Sequence, residues 1–508
     1  VFLRALLLLV LCLLACWPQW GLPDWTGTEG RRLQIADEML HDGDWLVPTL
    51  GGQPTWAKPP LHYWVLAGCM RWAPRDPWLL RLPSVLSLWL AAVVAMELHR
   101  RWFSAAAGWV VGLGMLLSPV ALVTWPTIEI DPLFASLTAM SLFLLATGVA
   151  RERAILVLAS GILGGLAFLQ KGPPYFLFAG GAYLVWWRRR GLRSAWLHFV
   201  PLLLLPVAYY LPLWLLRVAP TEMLAVAGEE TVGRLWTFQL QHLLATPGYW
   251  LRAVAIQLPL VLWCFWEWRG ARDARMDAAD LTLRMCSGAA VLAVVLLTVF
   301  PGRPTRYLMP NLLLFPFAVA PAVAHFAAQP RQLGLFSRRV LFGLGLCAAL
   351  VLLALPFWSH AVGSLAVVLA AAIAATPFWV RRPVHLVAFC LGLPLLAAWT
   401  VVHERAQAFP ASSRSRKLAG ELLARELAVG GTGADLQTHG HIEGPLLLWA
   451  GLRVPGNEAA NRAPTARFVL HEHADQPPPL LDEYVERLRL CMPREIFALR
   501  ERRPKVGR

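Results

Sequence analysis

Several ionisable residues stand in or beside segments too apolar to carry charge without cause: Glu29, Arg31, Lys58, His62, Glu129, Asp131, Lys171, Glu229, Glu230, Arg234, Arg303 and Arg306. Asp131 opens one apolar run and Lys171 closes another. Charge at membrane depth is costly, so carboxylates and cations gathered on one side of a membrane point to a functional site. At the ends of spans, such a set favours a reaction at the interface over passage of a solute, because transporters place ionisable groups near the midplane on broken helices. For any one of these residues the plainer reading is an interface anchor or a snorkelling stem. Pro59 and Pro60 after Lys58, and Gly172 and Pro173 after Lys171, are also ordinary turn formers before a helix. The functional reading rests on the combination across distant loops.

The elements that must position these residues are membrane helices. The chain has 508 residues, 57% hydrophobic and only 15% charged, and a positive mean hydropathy, outside the range of soluble domains. Apolar runs long enough to cross the hydrocarbon core recur along most of it, and in lipid only a helix satisfies the backbone of such a run. The net charge of +15 does not indicate nucleic acid, because the basic residues form short clusters between apolar runs. These are Arg100 and Arg101, Arg151 and Arg153, Arg188 to Arg190 with Arg193, Arg269 to Arg284, Arg331 with Arg338 and Arg339, and Arg381 with Arg382. The clusters follow every second span and mark cytoplasmic loops, which places the N-terminus inside.

The expected fold class is mostly α: a polytopic membrane protein of about 13 transmembrane helices with a small outer-face α/β domain at the C-terminus. The spans fall near 2–20, 79–98, 105–124, 131–150, 154–170, 174–187, 197–216, 249–267, 285–300, 307–327, 340–357, 363–380 and 384–402. Residues 1–403 make the membrane domain and residues 404–508 the soluble domain, which the odd number of spans places outside. The first run, ending in "LLAC" at Cys16, also resembles a cleavable lipoprotein signal, a less favoured reading because the chain continues as a polytopic protein. The eight cysteines show no disulfide or metal spacing.

Two outer loops break the apolar pattern, residues 21–78 and 218–248. In the first, Leu33, Ala36, Met39 and Leu40 lie at helical spacing opposite Arg32, Gln34, Asp37 and Glu38, as in a helix lying along the membrane surface. The run "GDWLVPTLGGQPTWAKPP" then supplies the turn formers that end it. In the C-terminal domain, "SRSRKLAGELLARELAV" reads as a helix, and "GPLLLWA" and "ARFVLHEH" as short strands.

Four stretches carry a family resemblance. "TEGRRLQIADEMLHDGDWLVPTLGGQPTWAKPPLHYW" (28–64) resembles the first outer loop of GT-C-type polyprenyl-phosphate-dependent glycosyltransferases, the group of the aminoarabinose lipid A transferases and bacterial members of the protein mannosyltransferase superfamily. "IEIDPLFASL" is similar to their second acidic motif with Asp131 in the matching place, "LQKGP" (169–173) to Thr-Lys-Gly-Pro, and "PTRYLMPNLLL" (304–314) to Pro-Arg-Tyr-Leu-x-Pro. The motifs are specific together and weak singly.

The resemblance implies a multi-pass protein of the bacterial inner membrane that takes a sugar from a polyprenyl phosphate and passes it, with inversion, to a lipid A, glycan or protein acceptor on the periplasmic face. Its partners are then the lipid-linked sugar, the acceptor and membrane lipids, with no nucleic acid. Cations must hold the charge growing on the leaving phosphate, and Arg31, Lys58 and Arg306 are the candidates, with Lys171 and Arg234 behind them. A carboxylate must take the acceptor's proton, and Asp131 and Glu29 are the candidates. The resemblance also allows for a divalent metal, with Glu129 and His242 as candidate ligands, though no spacing in this chain indicates it. The chain departs from the family where Thr28 replaces the leading Asp, Arg32 a Tyr, and Ala57 the acidic residue before Lys-Pro. Threonine is no general base and alanine no ligand; Glu29, one methylene longer than Asp, is the nearest replacement. Competing expectations are a catalytically altered relative that binds polyprenyl lipid, and a transporter for a lipid-linked substrate.

Overall fold

The computed structural model describes residues 1–20, 28–216 except 51, 75, 117 and 193, 277–299, 305–328, 422–425, 427, and strand segments within 436–502. The described part is mostly helical. Helices α1 (Phe2–Trp20), α4 (Pro77–Trp102) from Arg81 onward, α5 (Ala105–Leu116), α6 (Pro119–Thr124), α7 (Ile130–Arg151), α8 (Ala154–Lys171), α9 (Pro174–Arg190), α10 (Trp196–Leu215), α11 (Asp277–Val299) and α12 (Met309–Ala327) belong to one compact unit. A second unit holds α2 (Glu29–Asp42), a hairpin of β1 (Thr49–Leu50) and β2 (Gln53–Pro54), α3 (Leu61–Met70) and the C-terminal strands.

In the first unit, α4, α7, α8 and α10 are long and apolar enough to cross a membrane. Helix α7 is buried along nearly its whole length, whereas α10 turns Val200, Leu203, Leu204, Val207 and Leu211 outward. Their 3–4-residue spacing makes one exposed apolar stripe, the face suited to lipid. Helix α1 does the same with Leu3, Leu7, Val10, Leu14 and Trp17, burying Leu8, Cys12 and Cys16 behind them. The expected span at 105–124 is two helices instead of one: α5 stops at Leu116, and α6 restarts at Pro119 after an extended Ser118, because proline favours the first turn of a new helix over the interior of an old one.

Small residues let the helices approach closely. A Cβ on Gly161 of α8 would lie 2.2 Å from the His198 carbonyl of α10, and one on Gly181 of α9 would lie 2.1 Å from the Gly288 carbonyl of α11. Polar side chains close the remaining gaps. Ser160 Oγ lies 2.8 Å from His198 Nδ1, Tyr183 Oη lies 2.7 Å from His198 Nε2, and Ser141 and Tyr175 hydroxyls meet at 2.9 Å. His99 Nε2 lies 2.7 Å from the Phe317 carbonyl. The helical donor for that carbonyl would be residue 321, a proline without an N–H, so in the tautomer protonated at Nε2 the imidazole of α4 donates to the acceptor that Pro321 leaves open in α12. Glu97 accepts from Arg4 at 3.0 Å and from Arg100 at 3.1 Å, pinning α1 to α4.

In the second unit, the stretch 28–64 is more built than a surface helix followed by a loop. Leu33, Ile35, Ala36 and Met39 are buried, and Ile35 and Met39 pack on Tyr63 of α3. Leu40, expected on this face, is only half-buried, and Ile35 takes its place. Glu38, expected on the polar face, is buried. Its carboxylate accepts from Gln34 Nε2 at 3.1 Å, Thr49 Oγ at 2.8 Å and the Gly52 N–H at 3.1 Å. Arg32 is half-buried and donates to Tyr63 Oη at 3.1 Å. The ten-residue α3 occupies sequence expected to be loop.

The C-terminal strands β3 (Leu436–His439), β4 (Phe468–Glu472), β5 (Tyr484–Met492) and β6 (Glu495–Arg502) form one sheet in the order β3-β4-β6-β5. β3 and β4 are parallel, and the other pairs are antiparallel. Leu470 and Leu499 face each other across β4 and β6 and are buried. The expected spans at 249–267, 340–357, 363–380 and 384–402 lie outside the described residues.

Candidate active site

The α7–α8 hairpin brings the start of one helix beside the end of the other. Glu129 is the extended N-cap of α7 and Asp131 lies in its first turn, where the helix dipole favours negative charge. Lys171 is the last residue of α8, where the dipole favours a cation. Gly172 then adopts φ 90°, and Pro173 starts the turn into α9. That left-handed φ is easily reached only without a Cβ.

Lys171 Nζ donates to Asp131 Oδ1 in an ion pair, with the side chains only 9% and 10% exposed. The ammonium lies 5.2 Å from the centre of the Phe134 ring and 4.3 Å from that of Tyr307, within cation–π range of both. Tyr307 belongs to a short 3-10 helix, Thr305–Leu308, which leads into α12. Three distant pieces of chain therefore converge on one ammonium. Gln170 Nε2, donating to the Ile130 carbonyl at 3.3 Å, ties the same two helix ends together.

The Lys58 segment reaches this corner as well. A Cβ on Gly172 would meet Pro59 Cγ at 3.7 Å, so residues 57–59 run past the α8–α9 turn, and Lys58 is half-buried there. Arg306 adjoins Tyr307 in the 3-10 helix. Of the remaining expected site residues, Glu29 is fully buried at the start of α2 and Arg31 is exposed on the same helix. Arg234 and His242 lie outside the described residues, and Glu129 is half-buried. Among the described residues, no three His, Cys, Asp or Glu side chains gather as a metal site.

The part of Tyr307 in this corner was not foreseen, although it lies within "PTRYLMP" beside the expected Arg306. Phe134, one turn after Asp131, was missed because an aromatic residue in an apolar span reads as core.

The chain matches the dolichyl-phosphate-mannose-protein mannosyltransferase family over residues 57–214, a segment that contains Lys58, Asp131 and Lys171. Its fold superposes on that of ArnT from Cupriavidus metallidurans bound to undecaprenyl phosphate, with a TM-score of 0.73 at 19% identity and 97% of each chain covered. The chain thus resembles the polyprenyl-phosphate-dependent glycosyltransferases of the GT-C type in sequence and in fold. Among its relatives, an undecaprenyl phosphate-alpha-4-amino-4-deoxy-L-arabinose arabinosyl transferase of Pseudomonas savastanoi pv. phaseolicola is 26% identical over 60% of this chain and 58% of its own length. The Edwardsiella ictaluri protein of the same name is 26% identical over 66% of this chain and 62% of its own. The chain thus spans less than two thirds of the length of these relatives. The chain is membrane-spanning: four of the described helices are long and apolar enough to cross a bilayer.

Proposed function

We propose that this protein is a GT-C-type inverting glycosyltransferase that moves a sugar from a polyprenyl phosphate to an envelope acceptor at the periplasmic face of the bacterial inner membrane. The observation that carries the reading is the Lys171 ammonium, held by Asp131 and the Tyr307 ring where α7, α8 and the 3-10 helix converge. A preorganised cation at a helix end suits a lipid phosphate leaving group, and the names of the relatives make an undecaprenyl-phosphate aminopentose the first donor to try.

In this reading the bond between the anomeric carbon and the phosphate oxygen breaks, and its electron pair stays on the phosphate. Lys171, Lys58 and Arg306 stabilise that charge, with Arg31 and Arg234 as further phosphate ligands. The acceptor oxygen bonds to the anomeric carbon from the opposite face, and its proton passes to a carboxylate. Asp131 is that base, with Glu29 behind it. Incoming phosphate competes with Asp131 for the Lys171 ammonium, so donor binding itself frees the carboxylate for the proton. The sequence supports the finer topology of about thirteen spans, a cytoplasmic N-terminus and a periplasmic domain over residues 404–508 through its basic loop clusters. Glu129 and His242 remain the proposed ligands should a divalent metal be bound.

The test is release of polyprenyl phosphate by the purified protein in vesicles, supplied with a panel of polyprenyl-phosphate sugars and an envelope extract. Release should fall by roughly 10²–10³-fold in Lys171→Ala, the scale for removing one transition-state donor. Thr28 and Ala57, standing where the family carries acids, favour the altered lipid-binding relative as second reading. Lipid binding without release across donors that a related enzyme consumes would select it.

A further inference from the structure

Basic clusters that the sequence spreads over separate loops meet at one end of the first unit. Helix α7 runs from the Asp131 turn to Arg151, α8 returns from Ala154 to Lys171, and α9 leaves from Pro174 to Arg190. Asp131 and Lys171 therefore mark one end of these helices, and Arg151, Arg153 and Arg188 to Arg190 mark the other. The 22 residues of α7 put about 33 Å between the two ends, comparable with a hydrocarbon core of about 30 Å. Two contacts join the neighbouring helix ends. Arg190 Nη1 donates to Glu152 Oε1 at 3.1 Å, which ties the end of α9 to the α7–α8 turn. The Arg151 guanidinium lies 5.3 Å from the centre of the Trp102 ring, which brings in the last turn of α4 with Arg100 and Arg101.

Carboxylates neutralise this rim only in part. Glu97 is shared by Arg4 and Arg100, and the Arg190–Glu152 pair is exposed, so it fixes two turns against each other more than it cancels charge. Arg101, Arg151, Arg153, Arg188 and Arg189 are exposed, with no carboxylate partner among the described residues. Large apolar side chains flank them. Trp187 in the last turn of α9 and Ile155 in the first turn of α8 are exposed, as is Trp196 at the start of α10, a helix that packs on α8 where His198 meets Gly161. Tryptophan collects at the level of lipid headgroups, and the guanidinium fork matches phosphate oxygens bidentately. A surface with both features suits a molecule with a phosphate head and an apolar tail.

We infer that the arginine rim built by the ends of α4, α7 and α9 and the α7–α8 turn is a docking surface for anionic phospholipids, in the leaflet opposite the Asp131–Lys171 corner. The arginines take the headgroup phosphates, and Trp187, Trp196 and Ile155 meet the upper part of the chains. The inference does not depend on the transferase reading, since the rim stands whatever the chain transfers. In the topology proposed above this is the cytoplasmic leaflet, whose negative surface potential attracts such clusters.

The test reconstitutes the full chain into phosphatidylcholine vesicles with a trace of spin-labelled lipid, and electron paramagnetic resonance reads the fraction of label immobilised at the protein surface. Labelled phosphatidylglycerol should be preferred over labelled phosphatidylcholine by roughly fivefold or more, the scale of one arginine near an anionic surface, and the preference should weaken at high salt. The triple variant Arg153→Gln, Arg188→Gln, Arg189→Gln should bring it to within about twofold of parity. Because these side chains are exposed, the melting curve of the variant in detergent should match that of the wild type. Arg71→Gln, exposed in the turn after α3, should leave the preference unchanged. Equal association of the two lipids with the wild type, or an undiminished preference in the triple variant, would overturn the surface. A preference abolished by inorganic phosphate but not by chloride of the same ionic strength would overturn the lipid as its occupant.

Discussion

Two buried carboxylates, Asp131 and Glu38, are satisfied in opposite ways. Asp131 meets a cation, and that cation is wrapped by Phe134 and Tyr307. Glu38 meets neutral donors from Gln34, Thr49 and the Gly52 backbone, all within one local fold. A carboxylate held by a side-chain ammonium can lose its partner to an incoming anion that binds the same cation. One held by a backbone N–H and a short hydroxyl can do so only if the hairpin opens. The first arrangement leaves chemistry available, and the second builds a loop.

The sharpest way to break this contrast is Asp131→Asn. It strands the Lys171 ammonium at low exposure, and losing one partner of a buried pair should cost about 3–5 kcal/mol. The double variant Asp131→Asn, Lys171→Met should melt higher than Asp131→Asn alone in detergent yet remain inactive. A double variant less stable than the single would remove the ion pair from the account. Next in size is Glu38→Ala, which takes the acceptor from the half-buried Thr49 hydroxyl and the exposed Gly52 N–H, at roughly 1–3 kcal/mol in all because water can replace part of it. Hydrogen exchange at the Gly52 amide should accelerate, whereas Glu38→Gln should keep most protection because it still offers an acceptor. If Glu38→Gln abolished transfer without loosening Gly52, Glu38 would belong with Asp131. The smallest effect is at Tyr307, where Leu removes a cation–π contact of about 0.5–2 kcal/mol. Tyr307→Phe retains the ring and should stay close to wild type in a thermal melt, while Tyr307→Leu should not.

The sequence was most legible where a rule of period or charge applies. The helices at α7, α8, α9 and α10 lie where the apolar runs placed them, and Asp131 and Lys171 stand at the expected helix ends. Legibility failed where apolar character and burial part company. Glu38 was assigned to the polar face because helical spacing sees only residue type, and its burial depends on a hairpin more than ten residues away. The α5–α6 break was read through because hydropathy averages across the Ser118–Pro119 restart.

By itself, the sequence determined that this chain crosses the membrane repeatedly, where most of the described helices lie and which motifs flank their ends. Length, hydropathy and proline placement are local properties, and helices in lipid must satisfy their backbones locally. Only the tertiary structure decided that Lys171 pairs with Asp131, that Tyr307 covers the same ammonium, that His99 satisfies the carbonyl opposite Pro321 and that β3 pairs in parallel with β4. Each of these is a meeting between segments far apart in the chain. Such meetings depend on which helices approach closely enough at residues such as Gly161 and Gly181 and on the register of the strands, and neither can be read from the spacing of residues along one segment.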